Sequence, residues 1–248
     1  MKTFLSWVKL HQGNLNSGRQ ISDEALQLAE ESGDIYSKSI AMISRGYSLI
    51  CKGYFGDAEK FLLKGNELCE KMNIFEWNAL AQQNLAETYF QIHEYEKAKD
   101  CYVKGIEYLK QAGIGQSRSN FFRLGIARAT VMGKEMEFEL ESIFEYVEQN
   151  ILNELAGQMR KYIAEILLNI GDQYLAEAED WAKKAIIVDE QNSMRFRLGQ
   201  DYGLYAEIFR QEGDRSKAKD NLEKAIEIFK ECGADGWVEK YEKEFAEL

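Results

Sequence analysis

The tetrapeptide Lys-Ala-Lys-Asp occurs twice, at Lys97–Asp100 and at Lys217–Asp220, inside stretches that match over about two dozen residues. The copies are 120 residues apart, and the interval divides further. A small residue lies three positions before an aromatic or aliphatic one at Gly46 (with Leu49), Ala86 (with Tyr89), Ala164 and Ala206 (with Phe209), and the same register falls on Ser6 and Gly125. The steps along Ser6, Gly46, Ala86, Gly125, Ala164 and Ala206 are 40, 40, 39, 39 and 42. A period of 20–50 residues is the mark of a solenoid, in which no single unit can bury its own apolar face.

Two further small positions travel with the first: Gly18, Ala58, Ala98 and Ala218, then Ala25, Gly65, Gly105 and Ala225. The fifth copy has them displaced by two residues, at Ala178 and Ala185, and the fourth breaks the rule with Glu137 and Phe144. Three small residues per copy suit two antiparallel helices, A and B, whose axes come close. Gly53, Gly171 and Gly213 are placed to end A helices in a left-handed cap, and the Gly-Asp pairs then offer an N-cap oxygen to the next helix. There is no proline in 248 residues, as suits a chain made almost wholly of helix. No period-two β-branched run occurs.

This pattern resembles the tetratricopeptide repeat family, in its 40-residue-period variety. The residues that carry the likeness are Ala86, Tyr89, Ala98 and Gly105, and Ala206, Phe209, Ala218 and Ala225. The resemblance implies an all-α, right-handed solenoid of six helix pairs, at about 1–38, 39–78, 79–116, 117–156, 157–197 and 198–233. A capping helix at 234–248 follows, with Trp237, Tyr241 and Phe245 on one stripe, reading as a solvating lid for the last repeat. In the fourth repeat a helix over the segment from Gly133 to Asn150 is expected, burying Phe138, Ile143, Phe144 and Val147, with a local change of curvature.

Catalytic chemistry finds no support. Nucleotide-loop, zinc-protease and nucleophile-elbow motifs are missing, and the two histidines, His11 and His93, fall in different repeats. Cys51, Cys69, Cys101 and Cys232 have no metal-site spacing and read as buried reduced thiols. No cofactor or metal is expected. Net charge is −11, which argues against nucleic acid as the main partner; Arg195–Arg197 is too short a basic cluster to alter that. No apolar run is long enough to span a membrane, and nothing resembles a signal peptide, so a cytoplasmic location is expected.

The expected function is therefore protein–protein interaction: a scaffold holding a peptide or helix of a partner in its concave groove. The alternative is a regulatory array serving a larger signalling ATPase, cyclase or protease. Counting from the small anchors, the A-helix residues facing the groove include Tyr47, Asn84, Glu87, Arg123, Tyr162, Glu165, Glu207 and Arg210. Asn84 matches the asparagine of the family's Asn-Leu-Ala segment, which implies a carboxamide that binds peptide backbone; it could equally bond a neighbouring helix. Arg123 could take a partner carboxylate or pair internally with Glu87. The five-residue carboxylate clamp of the chaperone-binding members is not supported, because Ile43, Tyr47 and Ser119 stand where Lys, Asn and Lys are needed. Finally, Phe4, Trp7 and Val8 lie on a first helix that is apolar far round its circumference. The sequence supplies no lid for it, so an upstream domain, a partner or a second copy is expected there.

Overall fold

The computed structural model describes residues 2–134 and 139–248, and within them the chain is helical almost throughout. The helices are α1 Lys2–His11, α2 Leu15–Ser32, α3 Ile35–Lys52, α4 Phe55–Lys71, α5 Phe75–Gln91, α6 Tyr95–Gln111 and α7 Gln116–Met132. After them come α8 Leu140–Glu148, α9 Asn153–Ile170, α10 Leu175–Gln191, α11 Arg195–Glu212, α12 Arg215–Cys232 and α13 Asp235–Ala246. Each odd helix up to α11 packs against the even one that follows, and most pairs stack on the next chiefly through the even helix, giving an all-α solenoid.

What stops the helices is a single residue at positive φ. Such residues recur at 13, 33, 53, 73, 93 and 113, and again at 193, 213 and 233, so the backbone repeats every half-unit. Glycine fills most of these places, as left-handed backbone favours. Asn73, His93 and Ser193 hold it without glycine. Gly171 departs from the expected left-handed cap: its φ of 153° and ψ of 154° lie in extended space open only to glycine. A 3-10 turn at Asp172–Tyr174 follows. That turn absorbs the two-residue displacement of the fifth copy.

The small residues do let backbones approach, in two different seams. A Cβ on Gly46 would meet Leu62 of the paired helix at 2.5 Å. One on Gly125 would meet Tyr102 at 2.5 Å, and one on Gly105 would meet Phe122 at 2.2 Å, so these two glycines serve the α6–α7 seam between successive pairs. In the fourth pair the second helix has 9 residues where its counterparts have 17 or 18. Ile143 and Val147 are buried there, while Phe144 is only half-buried and stacks on Trp181 of α10 at 5.9 Å. Glu137 and Phe138 lie outside the described residues.

α13 packs on α12, as expected of a capping helix, and it also meets α3. The Trp237 indole N–H donates to the Ile50 carbonyl at 2.9 Å, and its ring stacks on Phe229 and meets Phe55 edge-on. Buried Lys52 reaches across the same seam to Asp235 at 2.6 Å, to Asn16 at 3.0 Å and to the Gly233 carbonyl. Leu10 and Leu15 share one apolar cluster with Phe196, Phe229 and Trp237. The solenoid thus closes on itself, and its last helices cover the end of α1 that carries Leu10. Phe4, Leu5 and Val8 stay exposed, and Trp7 packs on Trp77 with ring centroids 5.2 Å apart.

Candidate functional site: the interior of the closed solenoid

Small anchors turn the A helices inward, so the interior wall is built mainly from α1, α3, α5, α7, α9 and α11. Two cavities open on it. The first, about 410 Å³, is lined by residues near the starts of α5, α7, α9 and α11 together with Trp7, His11 and Tyr47. The second, about 850 Å³, takes the far ends of those helices and one face of α13.

Between them along α5 stands Glu87, and with it the most heavily bonded group of the interior. Arg128 of α7 is 1% exposed, its guanidinium carbon 3.3 Å from the Phe90 ring centroid and 4.1 Å from that of Tyr162. Nη1 donates to Glu87 at 3.0 Å and Nη2 to Glu165 at 3.2 Å. Nε lies 2.5 Å from the second Glu165 oxygen but is too poorly aligned for a hydrogen bond. The Tyr162 hydroxyl donates to Glu87 at 2.9 Å and meets the Tyr102 hydroxyl at 3.1 Å. Burial pushes the Glu87 carboxyl up. The charges of Arg128 and Lys161 and the bonds from Gln91 and Tyr162 outweigh it and hold the group at about 2. Burial likewise lowers Arg128, and Glu165 and Glu87 more than reverse it.

The residues singled out from sequence therefore divide. Tyr47 and Asn84 line the first cavity. Glu165, Glu207 and Arg210 line the second, with Arg210 gripping Glu207 at 2.6 Å. Glu87 and Tyr162 belong to the arginine network, and Tyr162 is fully buried, so it meets no partner directly. Arg123 lines neither cavity: it donates to Asn120 at 3.0 Å and lies over Tyr146 of α8. Its expected internal partner Glu87 is taken by Arg128. The signal for Arg128 was present in the register. It stands three after Gly125, where four of the other five copies carry Leu49, Tyr89, Leu167 and Phe209 and the first carries Lys9.

Asn84 is 5% exposed, and its carboxamide has no hydrogen-bond partner among the described residues. Beside it the Trp7 Nε1 donor and the Gln83 Oε1 acceptor are fully buried and unpartnered, whereas the Asn84 carboxamide keeps access to the cavity. His11, 3.4 Å from the Tyr47 hydroxyl, is held neutral: burial first, then the Arg197 charge, lower it to about 4.

A second buried polar group joins α9, α10 and α11. The Asp189 and Asp201 carboxyls face each other, and Lys161 donates to Gln200 at 3.0 Å beside them. Gly157 makes the room, since a Cβ there would sit 1.9 Å from an Asp189 oxygen. Burial, then the neighbouring Asp189, raise Asp201 well above the carboxylate range against the pull of Lys161 and Arg197. A raised folded-state value means stability present at low pH and lost as pH rises from the ordinary carboxylate value through the folded one. Asp201→Asn keeps a donor toward Asp189 and cannot ionise. Urea midpoints between mildly acidic and mildly basic pH should fall for the natural protein and run flatter for the variant, with the variant at least as stable at the basic end.

Among the described residues no group of three or more His, Cys, Asp or Glu side chains is placed to hold a metal. No helix among them is long and apolar enough to cross a membrane. The four cysteines are free and buried.

No protein-family model matches the chain, and no curated protein does. Solved structures do. The apo form of RapI superposes with a TM-score of 0.68 at 14% identity, over 93% of this chain and 82% of that one. The chain shares that structure's fold, an all-α helical solenoid. A Rap protein complexed with competence and sporulation factor superposes with a TM-score of 0.67 at 13% identity, over 99% of this chain and 73% of its own.

Proposed function

We propose that this array of six helix pairs and α13 is an interaction scaffold whose interior holds an extended segment of a partner protein. Asn84 carries the reading. Its carboxamide is bonded to nothing in the protein and opens on the first cavity, so both its donor and its acceptor are available to a partner. A carboxamide offers a donor and an acceptor together, the complement of one peptide unit. Tyr47 flanks it in the first cavity, while Glu165, Glu207 and Arg210 offer charged contacts to the same segment further along. Glu87 and Tyr162 act behind them, by fixing the wall. Exposed Phe4 and Val8 extend the apolar rim beyond Trp7 and would meet the part of the partner that stays outside. One Rap structure holds competence and sporulation factor, which supports binding rather than catalysis as the use of such an interior.

A library of short random peptides with free carboxyl ends tests this. Binders selected on the natural protein should lose about 10-fold or more in affinity with Asn84→Ala, at unchanged circular dichroism. Arg123→Glu should leave them bound. A selection that returns nothing, or binders indifferent to Asn84, overturns the reading.

A further inference from the structure

Arg197 stands in the first turn of α11 and lines the first cavity. In a chain of net charge −11 it has no carboxylate within ion-pairing distance among the described residues. Its one hydrogen bond goes to the main-chain carbonyl of Glu154. The cavity's other arginine, Arg118, is satisfied by the Glu154 carboxylate at 3.1 Å. Glu76, the remaining acid of the lining, is exposed at the rim. No acid of the lining pairs with Arg197, and the buried Asp189 and Asp201 that feel its charge are not lining residues.

The surroundings add two things. The first turns of α5, α7, α9 and α11 all contribute lining residues, and the N-terminal ends of helices favour an anion. Around them Trp7, Tyr47, Trp77, Phe122 and Leu155 make an aromatic and aliphatic box. A group that satisfies Arg197 must thus bring a carboxylate and a bulky apolar group together, with a peptide unit in reach of Asn84.

We infer that the first cavity binds the carboxyl end of a peptide. The free α-carboxylate pairs with Arg197, the last side chain is large and apolar and fills the box, and the preceding peptide unit bonds Asn84. A chain end has the carboxylate and the side chain on one Cα. An internal Asp or Glu has its charge where the apolar group must go. A volume of 410 Å³, at the small end for ligand sites, suits the end of a chain better than its middle. The inference rests on the interior holding a partner segment and adds which part of it enters, and where.

The test uses the selected peptides, each resynthesised as the free acid and as the carboxyl amide, with binding followed by calorimetry. The acid should bind more tightly by about 10- to 100-fold, the range for a hydrogen-bonded charge. Arg197→Gln should abolish that preference while leaving the amide's affinity unchanged, and the selected last residues should be aromatic or large aliphatic. N-acetyl-phenylalanine alone should bind far more weakly than the peptides. Equal affinity of acid and amide, with Asn84→Ala still abolishing binding, would sink the chain-end assignment and leave the scaffold reading standing. Loss of the Asn84 dependence as well would remove both. N-acetyl-phenylalanine binding as tightly as a peptide would assign the cavity to small aryl carboxylates and overturn the inference. Should Arg197→Gln fail to fold, the acid–amide comparison on the natural protein decides alone.

Discussion

Replacing Arg128 with methionine is expected to destabilise the protein by about 3–5 kcal/mol, because the change leaves two acids inside the wall without their cation. Methionine matches the aliphatic stem and can still pack between Phe90 and Tyr162, so the loss reports charge more than volume. The pH dependence should change sign as well. In the natural protein Glu87 is depressed to about 2. Its contribution is complete above the ordinary carboxylate value and is lost only as pH falls toward 2. Without Arg128, burial is the largest influence left on Glu87 and pushes it upward. The variant should then gain stability as pH falls from neutral to mildly acidic, where the natural network is flat. Adding Glu87→Gln and Glu165→Gln to the variant should recover much of the loss, as whole buried ion networks often prove replaceable. Denaturant midpoints at neutral and mildly acidic pH measure all three. A single variant within about 1 kcal/mol of the natural protein, roughly one-third of the expected cost, would mean that water reaches the site and that Arg128 is not its organiser.

The same residue shows how far the sequence could be read. The anchors Gly46, Ala86, Ala164 and Ala206 were visible because a small residue at a fixed interval has one physical use, close helix approach. Gly53 and Gly213 were visible as helix stops for a similar reason. Asn73, His93 and Ser193 do the same work but were not, since left-handed backbone costs them more and a sequence does not announce it. Register arithmetic places Asn84 and Tyr47 toward the concave side, where they line the first cavity. It placed Arg123 there too, and Arg123 instead lies over Tyr146. The fourth pair, with its short α8, is where the period stops governing side-chain direction. Arg128 broke the apolar pattern three after Gly125, yet its two partners come from the pairs before and after. Such contacts depend on how pairs stack, which a repeat length does not specify. Arg197 looked like part of a minor basic cluster, and only its lack of an ion-paired carboxylate in three dimensions distinguishes it.

Closure of the ring was the least legible feature, and it supports the second large effect. A solenoid pair ordinarily touches only its neighbours in sequence. Here small rotations accumulate over six pairs until α13 meets α3, a relation between residues some 187 positions apart. Trp237→Ala is expected to cost about 3–5 kcal/mol, the usual loss for a large aromatic side chain removed from a core. The distinctive outcome is where the loss appears. If Trp237 holds the ends together, its removal takes the indole donor from the Ile50 carbonyl, empties the seam beside Lys52 and frees the first pairs from the last. Hydrogen exchange should then rise in α1 and α3, far away in sequence, and solution scattering should show a larger radius of gyration. Trp237→Phe keeps most of the packing and deletes only the indole donor, so it should cost about 1–3 kcal/mol with the ring still closed. Were Trp237 merely the lid of the last pair, Trp237→Ala would loosen α12 alone, and α3 would keep its protection. Faster exchange in α1 and α3 would also bear on binding, because Trp7 and Tyr47 reach the first cavity from those two helices. A ring that opens would carry half of the aromatic box away from Arg197, so Trp237→Ala should weaken the selected peptides without touching any residue that meets them.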